Sequence, residues 1–331
     1  APLVRLVVDS VFDIAAADGN REVASLEGAS SGQVVLGANT LTFGGNNEPQ
    51  LFAGTISGSG GLTKIGSGTF TLTGYSQHRG LTTIEQGTVV ARPYSLGPRI
   101  LNHGTLVLED RPPADPATAA LPAGSLYSSY ATVQDYSGSI GGTGQLIKAG
   151  RDVIWLRGEN SYRGGTRIDD GVLIGNDRSL PGDIVNNAGL AFYQSADGEY
   201  AGKISGSGLL LKYGPGNLTL SGLNSHGGGT VFSGLLTVAD DRNLGASSAG
   251  VVIADGTLRL TGDIVSARAF GLAEGGGTFD TGGHILSLQG PIVGTGTLTK
   301  IGAGTLEVTG TAAYTGATTV GAGTLKVSGS L

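Results

Sequence analysis

The sequence predicts an all-β chain wound as a parallel β-solenoid of about 15 coils, at roughly 21 to 22 residues per coil. Three observations predict it. A long motif, G-x-I-x-G-x-G-x-L-x-K-x-G-x-G-x-L-x-L-x-G, recurs from Gly54, Gly138, Gly202 and Gly290. Its copies start 84, 64 and 88 residues apart, close to four, three and four coil lengths. Within each copy apolar and polar residues alternate between glycines, as in Gly302-Ala-Gly-Thr-Leu-Glu-Val-Thr-Gly. That is the period of a short strand with one buried face. A propeller needs one even blade period of about 40 to 50 residues, so the unequal gaps exclude it.

The first copy runs through Lys64, Gly66, Gly68, Phe70, Leu72 and Gly74, then Gly80, Thr82, Ile84, Gly87 and Val89. The other copies keep step, apart from slips such as one residue missing before Gly234. Gly54, Gly66, Gly68, Gly138, Gly150, Gly202, Gly214, Gly290 and Gly302 are read as corner positions, where positive φ or close contact between layers favours a residue without a Cβ. Gly302→Val is expected to strain its turn. Inward Leu, Ile and Val should stack coil on coil into aliphatic ladders. Lys64, Lys148, Lys212 and Lys300 are read as outward, solvated residues, one per copy. At a spacing of about 15 to 20 Å they act singly, beyond the Debye length, and form no stripe for an anionic ligand.

A second motif lies between copies: Ser95-Leu-Gly, Ser179-Leu-Pro-Gly and Asn243-Leu-Gly, read as further coils. The stretch 109–127 breaks the cadence with Pro112, Pro113, Pro116 and Pro122, which suit a protruding loop better than ladder positions. Loops on rigid scaffolds carry recognition and tyrosine favours interfaces. Arg111, Tyr127, Tyr130 and Tyr136 are therefore the candidate binding residues.

Composition sets the bounds. The 331 residues include 61 glycines and 11 prolines, with 39% hydrophobic and 14% charged. A disordered tract is poorer in apolar residues, and collagen needs a strict three-residue period. The net charge is −6, without a basic run, so neither nucleic acid nor an anionic membrane surface is an expected partner. No stretch reaches the roughly 18 apolar residues of a membrane span. The opening Ala1-Pro-Leu-Val-Arg-Leu-Val-Val is too short and too charged for a signal peptide. Repeat-like sequence from end to end predicts one elongated domain over 1–331, cut from a longer chain, about 70 Å long at roughly 4.8 Å per coil.

Chemistry is sparse. With no cysteine there is no disulfide framework, thiolate nucleophile or cysteine metal site. His78 and His226 occupy the repeat position that Tyr162 and Tyr314 fill elsewhere; a general base is not interchangeable with tyrosine, so both are read as structural. His103 and His284 have no evident partners. Gly28-Ala-Ser-Ser-Gly32 matches the nucleophile elbow in letters, but strand-like sequence follows where a helix is required. Asp169-Asp170 and Asp240-Asp241 read as coil-edge turns, and no tandem calcium-binding repeat appears. No catalytic residue, metal or cofactor is expected, and the chain is read as non-enzymatic.

In the pattern L-x-K-x-G-x-G-T-L-x-L-x-G, matched by Leu298-Thr-Lys-Ile-Gly-Ala-Gly-Thr-Leu, the chain resembles the passenger-associated transport repeat of bacterial autotransporters. The resemblance implies a right-handed parallel β-helix, delivered by type V secretion through the periplasm and a C-terminal outer-membrane barrel. It implies display on, or release from, a Gram-negative cell. Two functions fit. One is an adhesin, acting through the polar faces of the helix in cell–cell aggregation, biofilm or host attachment, with like passengers or a host-surface receptor as partners. The other is a stalk that carries an N-terminal protease or esterase domain; continuing repeats upstream would favour the first and a catalytic domain the second.

Overall fold

The computed structural model describes residues 4–109 and 133–330. Among them every regular element is a β-strand, apart from two short 3-10 turns at Pro93–Ser95 and Asp241–Leu244. The strands run parallel and stack as a β-solenoid of about 15 turns. Two compact units divide the chain: Ala1–Leu173 with Arg178–Gly182, and Ile174–Asp177 with Asp183–Leu331.

In the first unit the coils build three main ladders, the third of them over four coils only. One climbs from Gln50–Phe52 through Thr69–Leu72, Thr88–Ala91, Thr105–Leu108 and Gln145–Lys148 to Thr166–Ile168. A second links Arg21–Glu22, Leu41–Phe43, Leu62–Lys64, Leu81–Ile84, Arg99–Asn102 and Ser139–Gly141. The third joins Val11–Asp13, Gln33–Val35, Thr55–Gly58 and Ser76–His78. A one-residue slip would turn every inward side chain to solvent, so alternation fixes the register.

The second unit shows what a missing residue does. Where the first copy turns through Ile84-Glu85-Gln86-Gly87, the third has only Phe232-Ser233-Gly234. With too little chain for a full corner, Thr230–Val238 runs on as one nine-residue strand, paired to Val251–Leu260 with a register shift between Phe232 and Gly234. Beyond it the faces separate again, and the ladder Ile285–Leu288, Thr305–Val308, Thr324–Val327 stacks Leu286 on Leu306 on Leu325. Leu306 and Val308 are buried between outward Thr305 and Glu307, as their alternation predicts. Fully burying one such side chain is worth about 1.5 to 3 kcal/mol.

The glycine after each lysine corner takes positive φ: Gly66 at 71°, Gly150 at 75°, Gly214 at 95° and Gly302 at 80°. An added Cβ at Gly302 would lie 2.4 Å from the Gly282 backbone nitrogen. Close approach rather than φ governs Gly54, whose added Cβ would sit 2.1 Å from the Gly32 carbonyl oxygen.

The four motif lysines do not face solvent. Lys64, Lys148, Lys212 and Lys300 are 1%, 0%, 2% and 0% exposed. Each is in phase with the inward leucine two residues earlier, and its side chain lies between apolar neighbours in the layers on either side: Phe43 and Ile84 for Lys64, Phe279 and Val320 for Lys300. Leu108 and Ile168 flank Lys148, and Phe192 and Phe232 flank Lys212.

Candidate functional site

What the inward positions do decides which residues are free to act. Lys64 Nζ donates to the carbonyls of Ile65 at 2.7 Å and Gly66 at 2.8 Å in its own corner, and to Gln86 at 3.4 Å in the corner of the next coil. Lys300 repeats this with Ile301, Gly302 and Ala322, and Lys148 with Ala149, Gly150 and Asp170. Each ammonium is a clip between successive corners, satisfying carbonyls that a sharp turn leaves without ladder partners. Desolvation lowers the pKa of Lys64 and of Lys300, the latter against the pull of Asp280.

A second internal position joins the copies. His78 Nε2, Tyr162 OH, His226 Nε2 and Tyr314 OH each lie 2.5 to 3.0 Å from the Oγ1 of the threonine four residues on. Tyrosine and histidine alternate here because both reach that hydroxyl, in the buried interior in the first three copies and at the surface for Tyr314. Burial pushes the imidazole pKa of His78 down to about 4; for His226 burial, then the nearby Arg268 charge, has the same result. Arg268, 2% exposed, holds the Asp241–Leu244 turn: it pairs with Asp241 at 2.7 Å and donates to the Ala246 and Ala249 carbonyls.

These contacts absorb most of the chemistry-bearing residues. Asp240 caps the turn through the Arg242 amide, and Asp169 pairs with Arg167. His103 and His284, which the sequence left without partners, lie 3.0 Å from Thr143 Oγ1 and 3.5 Å from Asp263 Oδ1. Strand Gln33–Val35 follows the elbow-like Gly28–Gly32. Among the described residues no group of three or more His, Cys, Asp or Glu is placed to hold a metal ion, and no helix is long and apolar enough to cross a membrane.

Of the expected binding residues, Arg111, Tyr127 and Tyr130 lie outside the described residues, as does the loop over 109–127 beyond Glu109. Tyr136 lies inside rather than on a surface: it is 4% exposed and its hydroxyl donates to the Gly97 carbonyl at 2.9 Å. Its ring is therefore not offered to a partner.

One exposed cluster of aromatic and cationic side chains sits on the first copy. Strand Ser76–His78 turns Ser76 and His78 toward the core, which leaves Tyr75, Gln77 and Arg79 on the solvent side. Tyr75 stacks on Tyr94 of the next coil, with centroids 6.3 Å apart and planes 30° apart; the two rings are 55% and 40% exposed. Arg92 lies 5.6 Å from the Tyr94 centroid and donates to its hydroxyl. Arg99 pairs in register with Leu81, two residues along from Arg79. Sequence reasoning passed over this cluster. Its signal was present, because Tyr75 departs from the repeat: the same position holds Glu159, Leu223 and Thr311 in the other copies.

A family model described as the passenger-associated-transport-repeat matches residues 62–91, 146–174, 210–234 and 298–327, the four motif copies. The chain is also 34% identical over 313 residues to the adhesin BmaC autotransporter of Brucella suis biovar 1 (strain 1330). That similarity takes in 89% of this chain and 8% of the relative, so the chain spans a small part of the relative's length. No solved structure matches it.

Proposed function

Since this chain is a stretch of the passenger of a bacterial autotransporter, built on passenger-associated transport repeats, we propose that it acts as an adhesin. It does so through the outward side chains of the β-solenoid, displayed on or secreted from a Gram-negative cell. One observation carries the reading. The four copies keep their inward chemistry alike, lysine clip and hydroxyl contact included, while their outward positions diverge. Inward residues build the scaffold and outward residues are left for a partner. The name of the Brucella relative, an adhesin, favours the same reading.

The outward columns are suited to many weak contacts. Thr257, Thr278, Thr299 and Thr319 stand in register on successive strands of the second unit. Repeated polar contacts of this kind gain strength by avidity, without any one strong site. That arrangement supports the reading of non-enzymatic attachment, to like passengers or to a host surface.

The test is to display the full passenger on a non-aggregating bacterium and record settling and attachment to host cells, with the purified chain as competitor. Settling or attachment that the chain blocks is the expected result. Displaying cells that neither settle nor attach would overturn the reading in favour of a stalk that carries another domain.

A further inference from the structure

The face built by Tyr75, Gln77, Arg79, Arg92, Tyr94 and Arg99 has features that the scaffold does not require. At the positions of Tyr75, Gln77 and Arg79 the second copy has Glu159, Ser161 and Arg163, the third Leu223, Ser225 and Gly227, and the fourth Thr311, Ala313 and Thr315. All four sets fold into the same coil, so neither aromatic rings nor cations are needed there for folding. Two large rings left in water lose the stabilisation that burial gives elsewhere in the molecule.

The charge on this face is also uncompensated among the described residues. Most described arginines pair with a carboxylate, as Arg157 does with Asp135 at 3.0 Å and Arg259 with Asp280 at 2.9 Å. Among the described residues Arg79, Arg92, Arg99 and Arg163 form no ion pair, and three of these four belong to this face. Arg92 Nε is buried without a hydrogen-bond partner among the described residues. In a chain of net charge −6, a face with three guanidinium groups that no described carboxylate neutralises is complementary to an anion.

We propose that this face binds an acidic saccharide, the two exposed tyrosines stacking on the C–H faces of sugar rings while Arg79, Arg92 and Arg99 take up their carboxylates. Stacked, half-exposed rings suit the flat, partly apolar face of a pyranose. Gln77, between ring and guanidinium on one strand, offers both a donor and an acceptor to ring hydroxyls. From Tyr75 to Arg79 the extended strand spans about 13 Å, at roughly 3.3 Å per residue, enough for two to three sugar units. A bidentate guanidinium–carboxylate contact adds orientation to charge. The inference deepens the adhesion reading and rests on it for its biological sense; binding by the purified chain tests the site without it.

The experiment measures binding of the purified chain to immobilised hyaluronan, a uronate polymer, with dextran as the uncharged polymer and dextran sulfate as a charge-only control. Saturable binding to hyaluronan and none to dextran is expected. The double variant Tyr75→Ala/Tyr94→Ala should lose at least tenfold in affinity while its far-UV spectrum and melting temperature stay those of the parent. Arg92→Gln should lose a comparable factor. Arg163→Gln, at the repeat position of Arg79 but without the tyrosines, should bind as the parent does. No saturable binding to hyaluronan overturns the proposal. So does binding that survives loss of both tyrosines, or that Arg163→Gln weakens equally, because either result would mean unspecific attraction of charge. Loss of hyaluronan binding in the double variant with its cell adhesion intact would sustain this site and move the adhesive surface elsewhere; failed adhesion by the parent with its hyaluronan binding intact would sustain the site and remove the adhesin reading.

Discussion

The corners clipped by Lys64 and Lys212 solve one problem with different lengths of chain. Lys64 has three carbonyl acceptors, two in its own corner and one in the next. Lys212 has two, Gly214 and Ser233, both at 3.1 Å, because the next corner lacks one residue and the chain passes through it as strand. Burial lowers the pKa of both. For Lys212 it falls to about 8, with Asp197 pulling the other way. Burying an ammonium inside this fold is thus compensated carbonyl by carbonyl, and the shorter corner compensates it less well.

The comparison breaks most visibly if both lysines are replaced by methionine, which keeps the length of the side chain and removes the donor. Lys64→Met leaves three turn carbonyls unsatisfied, at about 1 to 3 kcal/mol each before relaxation. We expect a loss of about 4 kcal/mol at Lys64 and about 2 kcal/mol at Lys212, where fewer acceptors are orphaned and more desolvation is relieved. Urea denaturation of the two variants reads the difference. Equal losses, or a larger one at Lys212, would mean that the lysines act by packing and not as clips.

The same two copies carry the buried histidines, and here their environments differ. A small void lies beside His78, lined by Phe43, Lys64, Thr82 and Leu96 among others; His226 instead faces Arg268, which adds charge repulsion to burial. Both rings stay neutral in the folded chain down to about pH 4, whereas in the unfolded chain they take up protons below about 6.5. Unfolding therefore gains protons between those values. Stability is complete above about pH 6.5 and falls toward pH 4, by about 3 kcal/mol per histidine. Histidine-to-tyrosine variants at 78 and 226 restore the Tyr162 arrangement and should flatten the pH dependence of the melting temperature. A slope unchanged in the double variant would assign the acid sensitivity to other groups.

How much of this the sequence disclosed follows from which periods it displays. Coil length, parallel stacking and the inward Leu306 and Val308 were legible, since each rests on spacing that one chain repeats several times. The equivalence of His78 with Tyr162 was legible for the same reason. The lysine clips are not legible in this way: period two places Lys64 in phase with Leu62, but its charge argues for solvent, and the carbonyls that balance that charge belong to other residues. The tyrosine–arginine face is formed between coils. Tyr75 and Tyr94 are brought together only by stacking, and a repeat pattern shows what copies share, whereas this face is where one copy differs.

The smallest effect sharpens the lysine comparison on the alkaline side. With its folded pKa near 8 and an unfolded value near 10.4, Lys212 gives up its proton in the folded chain first. Between those values the unfolded state holds more protons, so the contribution of this residue to stability increases with pH, by about 1 kcal/mol. Lys64 shifts in the same direction but keeps a fuller set of acceptors for its charged form. Melts at pH 8 and pH 10 on the parent, Lys64→Met and Lys212→Met should show the alkaline gain largely abolished by the Lys212 substitution and little altered by the Lys64 one. If both substitutions abolish it equally, the missing residue before Gly234 does not set the difference between the two corners, and burial alone governs both ammonium groups.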